Sequence, residues 1–462
     1  MLKSLIRGTA SVLLVLAMAT ASAAQVVPPP ASGAVHVQLP VDALMQDAGE
    51  YATRFGVPFD EALRRLRAQG DSVPTTDALR ETFKDRWAGI AIEHLPTYRI
   101  VVLLTGTDPV PDQQVVAGGM TVPIVFRTGA TATRDAVLAA ITTYQAKIRD
   151  SLPHPPGLGV DQRTGELVVM TASADADLDR NGELRARIAA MTGVPVRIDV
   201  VDRPPVDMQV EAAPPATDAT PAQSGAIEGG AIEGGAIEGG GRVVGTVDGK
   251  RYACTTGFVV SDGVRNGVVT AAHCPDTLSY VGKRPSDGSR EEWPLAFVGQ
   301  WGWGYQDVQV NVATAPGIAY APLFYADTAK TLARPVATWR YRTSTRAGDF
   351  VCHRGERTGY SCAVIAMVDF APAGDLCGGA CLPTWVAVEG PTCKAGDSGA
   401  PVFDGTVALG LVKGGTYRRD GTCLFYYYMS TDYLPAGWSL SYAAPRAAPE
   451  TVTAAPLTQA PR

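Results

Sequence analysis

All eight cysteines of this 462-residue chain, from Cys254 to Cys423, lie in its second half. Disulfides can therefore staple one half only, so two differently built units share the chain. Charge divides in the same way. Residues 25 to 242 carry 19 basic and 28 acidic side chains, a balance of −9, whereas residues 243 to 442 carry 17 of each. The overall charge of −6 hides this division, and neither half offers the basic field that nucleic acid requires. A composition of 46% hydrophobic and 19% charged residues fits a globular protein and excludes wholesale disorder or a polytopic membrane protein.

The chain opens with Lys3 and Arg7, an apolar run from about Ala10 to Ala19, and then the small residues Ala21, Ser22 and Ala23. This is the pattern of a secretory signal peptide over 1–24. A membrane anchor needs about 20 apolar residues, so the expectation is a secreted protein with no membrane attachment once the leader is removed. From Phe59, DEALRRLRAQ and then TDALRETFKDRWAGIAIEH carry apolar residues at helical spacing, which predicts two helices. Strands follow at 98–106 and 121–129, a helix from about Arg134 to Ser151, a strand at ELVVMTA, a helix at ELRARIAAM and a strand at VPVRIDVVD. Residues 25–203 thus read as a small α/β unit. Within it, DLDRNGELRARI imitates an EF-hand loop, but position twelve is Ile188, not the bidentate acid calcium needs. A polar turn capping the helix around Glu183 is expected instead.

Residues 204–242 form a linker rich in proline, alanine and glycine, with three AIEGG copies between Ala226 and Gly240. With so little to bury, it is expected to be mobile and open to proteases. The tail, 443–462, has a similar composition. Between them, YACTTGFVV, GVVTAAHC, DVQVNVA, GLVKGG and LFYYYMS alternate with glycine and aspartate turns, which predicts an all-β barrel or sandwich.

That β-rich half holds two histidines, His273 and His353, which limits the general bases available near neutral pH. His273 lies in TAAHC and Ser398 in GDSGAPVF. A serine hydroxyl is a poor nucleophile until a base takes its proton. The flanking glycines allow a tight turn that exposes Ser398 and aims the N–H groups of Gly396 and Ser398 at one point, as an oxyanion hole requires.

TAAHC and GDSGAPVF, in this order in a disulfide-bearing β-rich domain, resemble the chymotrypsin-like serine peptidases. VCHRGERTGYSC resembles the cysteine loop of the bacterial branch that includes α-lytic protease and the streptogrisins. The resemblance covers residues 243–442 and implies a double six-stranded antiparallel β-barrel. It implies an aspartate between the histidine and the serine, best matched by Asp307 in YQDVQVNVA, and peptide hydrolysis by His273, Asp307 and Ser398 with no metal or cofactor. It also implies the bridges Cys254–Cys274, Cys352–Cys362 and Cys393–Cys423, leaving Cys377 with Cys381. Zinc is the competing reading of these cysteines, but their spacing matches no common finger. Gly414 and Gly415 match the pair that binds an extended peptide as an added strand.

Three positions depart from the pattern. Lys413 stands where a serine is usual, which places an ammonium near the catalytic aspartate or just outside it, and it either turns to solvent or attracts acidic substrate side chains. Ala400 replaces a second glycine. The arginine that balances the aspartate before the nucleophile is shifted by one, so either His353 or Arg354 pairs with Asp397; alternatively, cutting after Arg242 in GGGRVVGT frees Val243 as its partner. The N-terminal α/β unit resembles a pro-region that assists folding and inhibits the enzyme. The expectation is a monomeric secreted endopeptidase acting on peptides or proteins. The contrasting reading is an inactive homologue serving as a binding module.

Overall fold

The computed structural model describes residues 35–207, 210–211, 235–284, 289–390, 392–443 and 458–459. The leader expected over 1–24 lies outside them, as do most of the linker and the tail. Among the described residues, no helix is long and apolar enough to cross a membrane.

The N-terminal unit starts with helices Pro40–Phe55, Phe59–Asp71 and Val73–Thr82. A sheet follows in the order Trp87–Glu93, Arg99–Thr105, Met120–Ala130, Gln113–Ala117, with the middle pair parallel. Ile100, Val102 and Leu104 repeat at period two and pack with Ile90, Ile92, Val122 and Ile124 in one core. Helix Arg134–Asp150 begins at Thr133, whose hydroxyl accepts from the Ala136 amide at 3.1 Å, a cap worth about 1 kcal/mol. Its Val137, Ala140 and Ile141 face Leu158, Val160, Leu167 and Val169 of the strands Gly157–Asp161 and Glu166–Ala172.

Two expectations need correction here. The helix expected through TDALRETFKDRWAGIAIEH ends at Thr82, and WAGIAIE is the strand Trp87–Glu93. A short apolar run fits either period, and antiparallel pairing with Arg99–Thr105 decides it. Helix Pro40–Phe55 was not anticipated. Its buried face is Ala43, Asp47, Ala48 and Tyr51, and an apolar pattern that contains an aspartate is not recognised as one. The turn before Glu183 behaves as expected: the Asp179 carboxylate accepts from the Arg185 amide at 2.9 Å.

The second half is the double barrel. Strands Arg242–Val247, Lys250–Thr255, Asn266–Thr270, Leu278–Lys283, Arg290–Trp301 and Val308–Ala313 build the first barrel, all paired antiparallel. Strands Phe350–Gly355, Gly359–Ala371, Trp385–Glu389, Pro401–Asp404, Val407–Tyr417 and Cys423–Ser430 build the second. It closes because Phe350–Gly355 pairs with both Pro401–Asp404 and Gly359–Ala371. The apolar run LFYYYMS has no polar face because both of its faces are covered. Tyr426 and Tyr428 pack with Val351, Ile365, Val386 and Leu409, while Phe425, Tyr427 and Met429 pack with Phe370, Trp385 and Leu411. The four bridges join Cys254 to Cys274, Cys352 to Cys362, Cys377 to Cys381 and Cys393 to Cys423, as the resemblance implied.

The halves meet through apolar packing, which puts Tyr51, Ala62 and Leu66 in one core with Phe350 and Phe403, through strand pairing and through ion pairs. Gly159 and Leu158 pair antiparallel with Phe370 and Ala371, so the N-terminal strands extend the second barrel's sheet. Buried ion pairs then cross the junction. Arg134 grips Asp369 through two hydrogen bonds at 2.7 and 2.8 Å, and Asp47 accepts from the wholly buried Arg334 at 2.8 and 3.1 Å.

Candidate active site

His273 stands just beyond strand Asn266–Thr270, in a turn held from two sides. Cys274 bonds Cys254 on strand Lys250–Thr255, and the Gln309 amide donates to the carbonyls of Ala271 and Cys274 at 3.1 and 3.0 Å. Asp307 immediately precedes Val308–Ala313, whose Val308 and Val310 are fully buried and anchor it. Its carboxylate faces His273 Nδ1 at 2.8 Å and accepts from the His273 amide at 3.2 Å. On the other edge of the ring, Nε2 lies 2.7 Å from Ser398 Oγ. The three residues named from sequence thus form one chain of contacts between the barrels.

Ser398 lies in a loop that Thr255 ties to the first barrel. The Thr255 hydroxyl donates to the Gly396 carbonyl at 2.8 Å, and the Thr255 amide donates to the Ser398 carbonyl at 2.8 Å. Gly396 adopts a φ of 105°, which a side chain would make costly. Gly399, at φ 82°, approaches the Thr255 carbonyl so closely that an added Cβ would lie 2.3 Å from it. Ala400 is fully buried in the second barrel's core, in keeping with a packing role.

In the uncut chain Asp397 pairs with neither His353 nor Arg354. Its carboxylate accepts from the amides of Arg357, Thr358 and Lys394 at 3.0, 3.2 and 3.0 Å, and from the Thr358 hydroxyl at 2.9 Å. Four donors satisfy the buried carboxylate without a cation. Arg354 instead pairs with Glu356 at 3.0 Å and donates to the Gly240 carbonyl. His353 packs on Tyr426 and reaches Thr358 Oγ1 at 3.3 Å, and Val243 is buried within its strand.

Lys413 takes the inward of its two expected placements. It is 2% exposed, not turned to solvent, and its ammonium lies 3.3 Å from Asp307 Oδ2 and 3.1 Å from Asp207 Oδ1. It also sits 5.5 Å from the Trp385 ring centroid. Burial pushes the Asp307 carboxyl up, but His273 and Lys413 outweigh this and hold it well below the usual carboxylate range. Gly414 and Gly415 pair antiparallel with Asp207 and Val206.

Sequence reasoning missed Gln309, Thr255 and Asp207. Gln309 was within reach, since period two on a strand places it on the same side as Asp307. Thr255 and Asp207 act across 141 and about 200 residues of chain, and no local pattern marks them. Among the described residues, the one close group of possible metal ligands outside this site is Asp47 with Cys352 and Cys362. Those cysteines are bonded to each other, so they do not form a metal centre.

Two antiparallel barrels with serine, histidine and aspartate aligned at their junction define the chymotrypsin-like class of fold. The chain is structurally similar to Thermobifida fusca Protease A, at 22% identity over 45% of this chain and 99% of that one, TM-score 0.36. It is also similar to Nocardiopsis Protease, at 20% identity over 42% and 93%, TM-score 0.34. A third likeness is to an alpha-lytic protease homolog, N4, at 20% identity over 45% and 100%, TM-score 0.33. No family model and no curated protein matches the chain.

Proposed function

We propose that the chain is a secreted serine endopeptidase made as an inhibited precursor. The contact chain Asp307–His273–Ser398, with 2.8 and 2.7 Å links, carries this reading. Ser398 Oγ attacks a peptide carbonyl carbon while its proton passes to His273 Nε2. Asp307 holds the ring and stabilises the imidazolium. The developing oxyanion is received by the N–H groups of Gly396 and Ser398. Collapse breaks the C–N bond, the leaving amine takes the proton from Nε2, and water then cleaves the acyl-enzyme by the same route in reverse. Gly414 and Gly415 bind the substrate as an added strand.

The full burial of Ser398 in the intact chain supports inhibition by the N-terminal unit. On this reading, residues 25–203 are a pro-region that assists folding and covers the cleft, and cutting in 204–242 releases the barrels. The export of residues 1–24 as a leader and a monomeric mature enzyme belong to the same proposal. A serine-directed fluorophosphonate tests it: the processed enzyme takes the label, and Ser398→Ala does not. Absence of labelling and of peptide hydrolysis in the wild-type protein would leave a binding module instead. Refolding of the 243–442 fragment to full activity unaided would remove the folding role.

A further inference from the structure

The chain itself lies along the cleft on both sides of the candidate nucleophile. Val206 and Asp207 add an antiparallel strand to Gly415 and Gly414, and Val210 and Glu211 add another to Ala253 and Tyr252 of the first barrel. The first pairing adjoins Ser398, whose Oγ lies 3.4 Å from the Lys413 carbonyl. The second adjoins His273 through the Cys254–Cys274 bridge. Gly414 must lack a side chain for this docking, because a Cβ there would sit 2.4 Å from the Val206 carbonyl oxygen. Backbone pairing of this kind reads no sequence by itself. Side chains beside the added strand do that.

The side chain at the position opposite Gly414 is Asp207, and it meets a buried cation. Its carboxylate lies 3.1 Å from Lys413 Nζ and 3.9 Å from His273 Nδ1. Lys413 has Asp307 as its other anionic neighbour, at 3.3 Å. A neutral side chain opposite Gly414 leaves Lys413 to Asp307 alone. A cationic one brings two like charges together where little water can screen them. We propose that Lys413 is a specificity-determining residue that selects peptides with an acidic side chain opposite Gly414, the position occupied by Asp207 in the intact chain. This places acid recognition on the side chain next to the histidine, and it rests on the endopeptidase reading above.

The test uses peptides spanning Val206 to Glu211, with aspartate, asparagine or lysine at the position of Asp207, cleaved by the self-processed full-length protein. The expected kcat/KM for aspartate exceeds that for asparagine by about tenfold and that for lysine by about a hundredfold. In Lys413→Met, the aspartate-to-asparagine ratio falls to about one, whatever happens to absolute activity through Asp307. An unchanged ratio overturns the proposal. A second measurement needs no turnover: Lys413→Met and Asp207→Asn are combined in full-length Ser398→Ala, and their effects on the unfolding midpoint are compared. Non-additive effects support recognition even if no peptide is cut, in which case only the endopeptidase reading fails. Additive effects there, with fluorophosphonate labelling intact in the processed protein that retains Ser398, overturn recognition alone.

Discussion

The barrel half is closed covalently by four disulfides, whereas the N-terminal α/β unit has no cysteine and meets the barrel half non-covalently, through strand pairings at His36–Val37 and Leu158–Gly159, apolar packing of Tyr51, Ala62 and Leu66 with Phe350, and desolvated ion pairs. A disulfide limits the unfolded chain and acts wherever that half goes. A buried ion pair acts only while both partners are present, and each charge becomes costly when the other is removed. The charged part of the junction suits separation, because Arg134, Asp369, Asp47 and Arg334 can all be hydrated once apart, while the apolar part around Tyr51 and Phe350 opposes it. Charge-rich contacts of this kind are typical of interfaces that open. The composition split thus corresponds to a difference in cohesion: one half locked, the other docked.

Several substitutions sharpen that contrast, most simply in full-length Ser398→Ala, which lacks the proposed nucleophile. The largest effect is expected from Asp47→Ala. It strips the carboxylate from fully buried Arg334 and the 3.0 Å acceptor from the Gly405 amide, a loss of about 3–5 kcal/mol. Limited proteolysis should then release the N-terminal unit while the barrels resist; equal susceptibility of both halves would contradict the docking account. Next, replacing Cys254 and Cys274 together by serine opens a loop with separation 20, costing about 3 kcal/mol on the chain-entropy model. The denaturant midpoint of the barrels should fall while the junction stays intact.

A third effect depends on pH. Burial raises the Glu238 carboxyl to about 7, on the strand Ala236–Gly239 that enters the barrel half. The unfolded chain releases this proton at about 4.3, so the folded state holds more protons between these values. Stability contributed by this site therefore falls as pH rises through that window, by roughly 4 kcal/mol in total. Glu238→Gln should flatten the slope between pH 4.5 and 7, and an unaltered slope would assign it to other groups. The smallest effect belongs to Arg149→Ala. Its partner Asp375 is largely exposed, so the loss from the ion pair should stay below about 1 kcal/mol, measured as the same midpoint.

The legibility of the site followed the same division between local and distant chemistry. His273 and Ser398 sit in short runs whose neighbours serve the same task, and Asp307 opens an alternating strand, so each could be named from a few residues. Lys413 could not be placed. Its strand alternates sides, but whether an inward lysine is affordable depends on Asp307 and Asp207, which are 106 and 206 positions away. Asp397 shows the converse: partners were sought among cations, yet three backbone amides and a hydroxyl satisfy it, and amides carry no residue-type signal. In the N-terminal unit, Arg99–Thr105 and Glu166–Ala172 were readable as strands, while Trp87–Glu93 fitted a helical period as well and Pro40–Phe55 was hidden because Asp47 faces the other half.

What the sequence determined by itself was the division into two units, the strand-rich second half, and the candidate nucleophile with its candidate base. These follow from composition, short-range period and residues that chemistry requires to be adjacent to particular neighbours. What the tertiary structure decided was which charges meet: Lys413 with Asp307 and Asp207, Asp47 with Arg334, and Asp397 with bare backbone. Electrostatic partnership depends on distance and burial, and neither is fixed until the barrels close and the N-terminal unit docks against them.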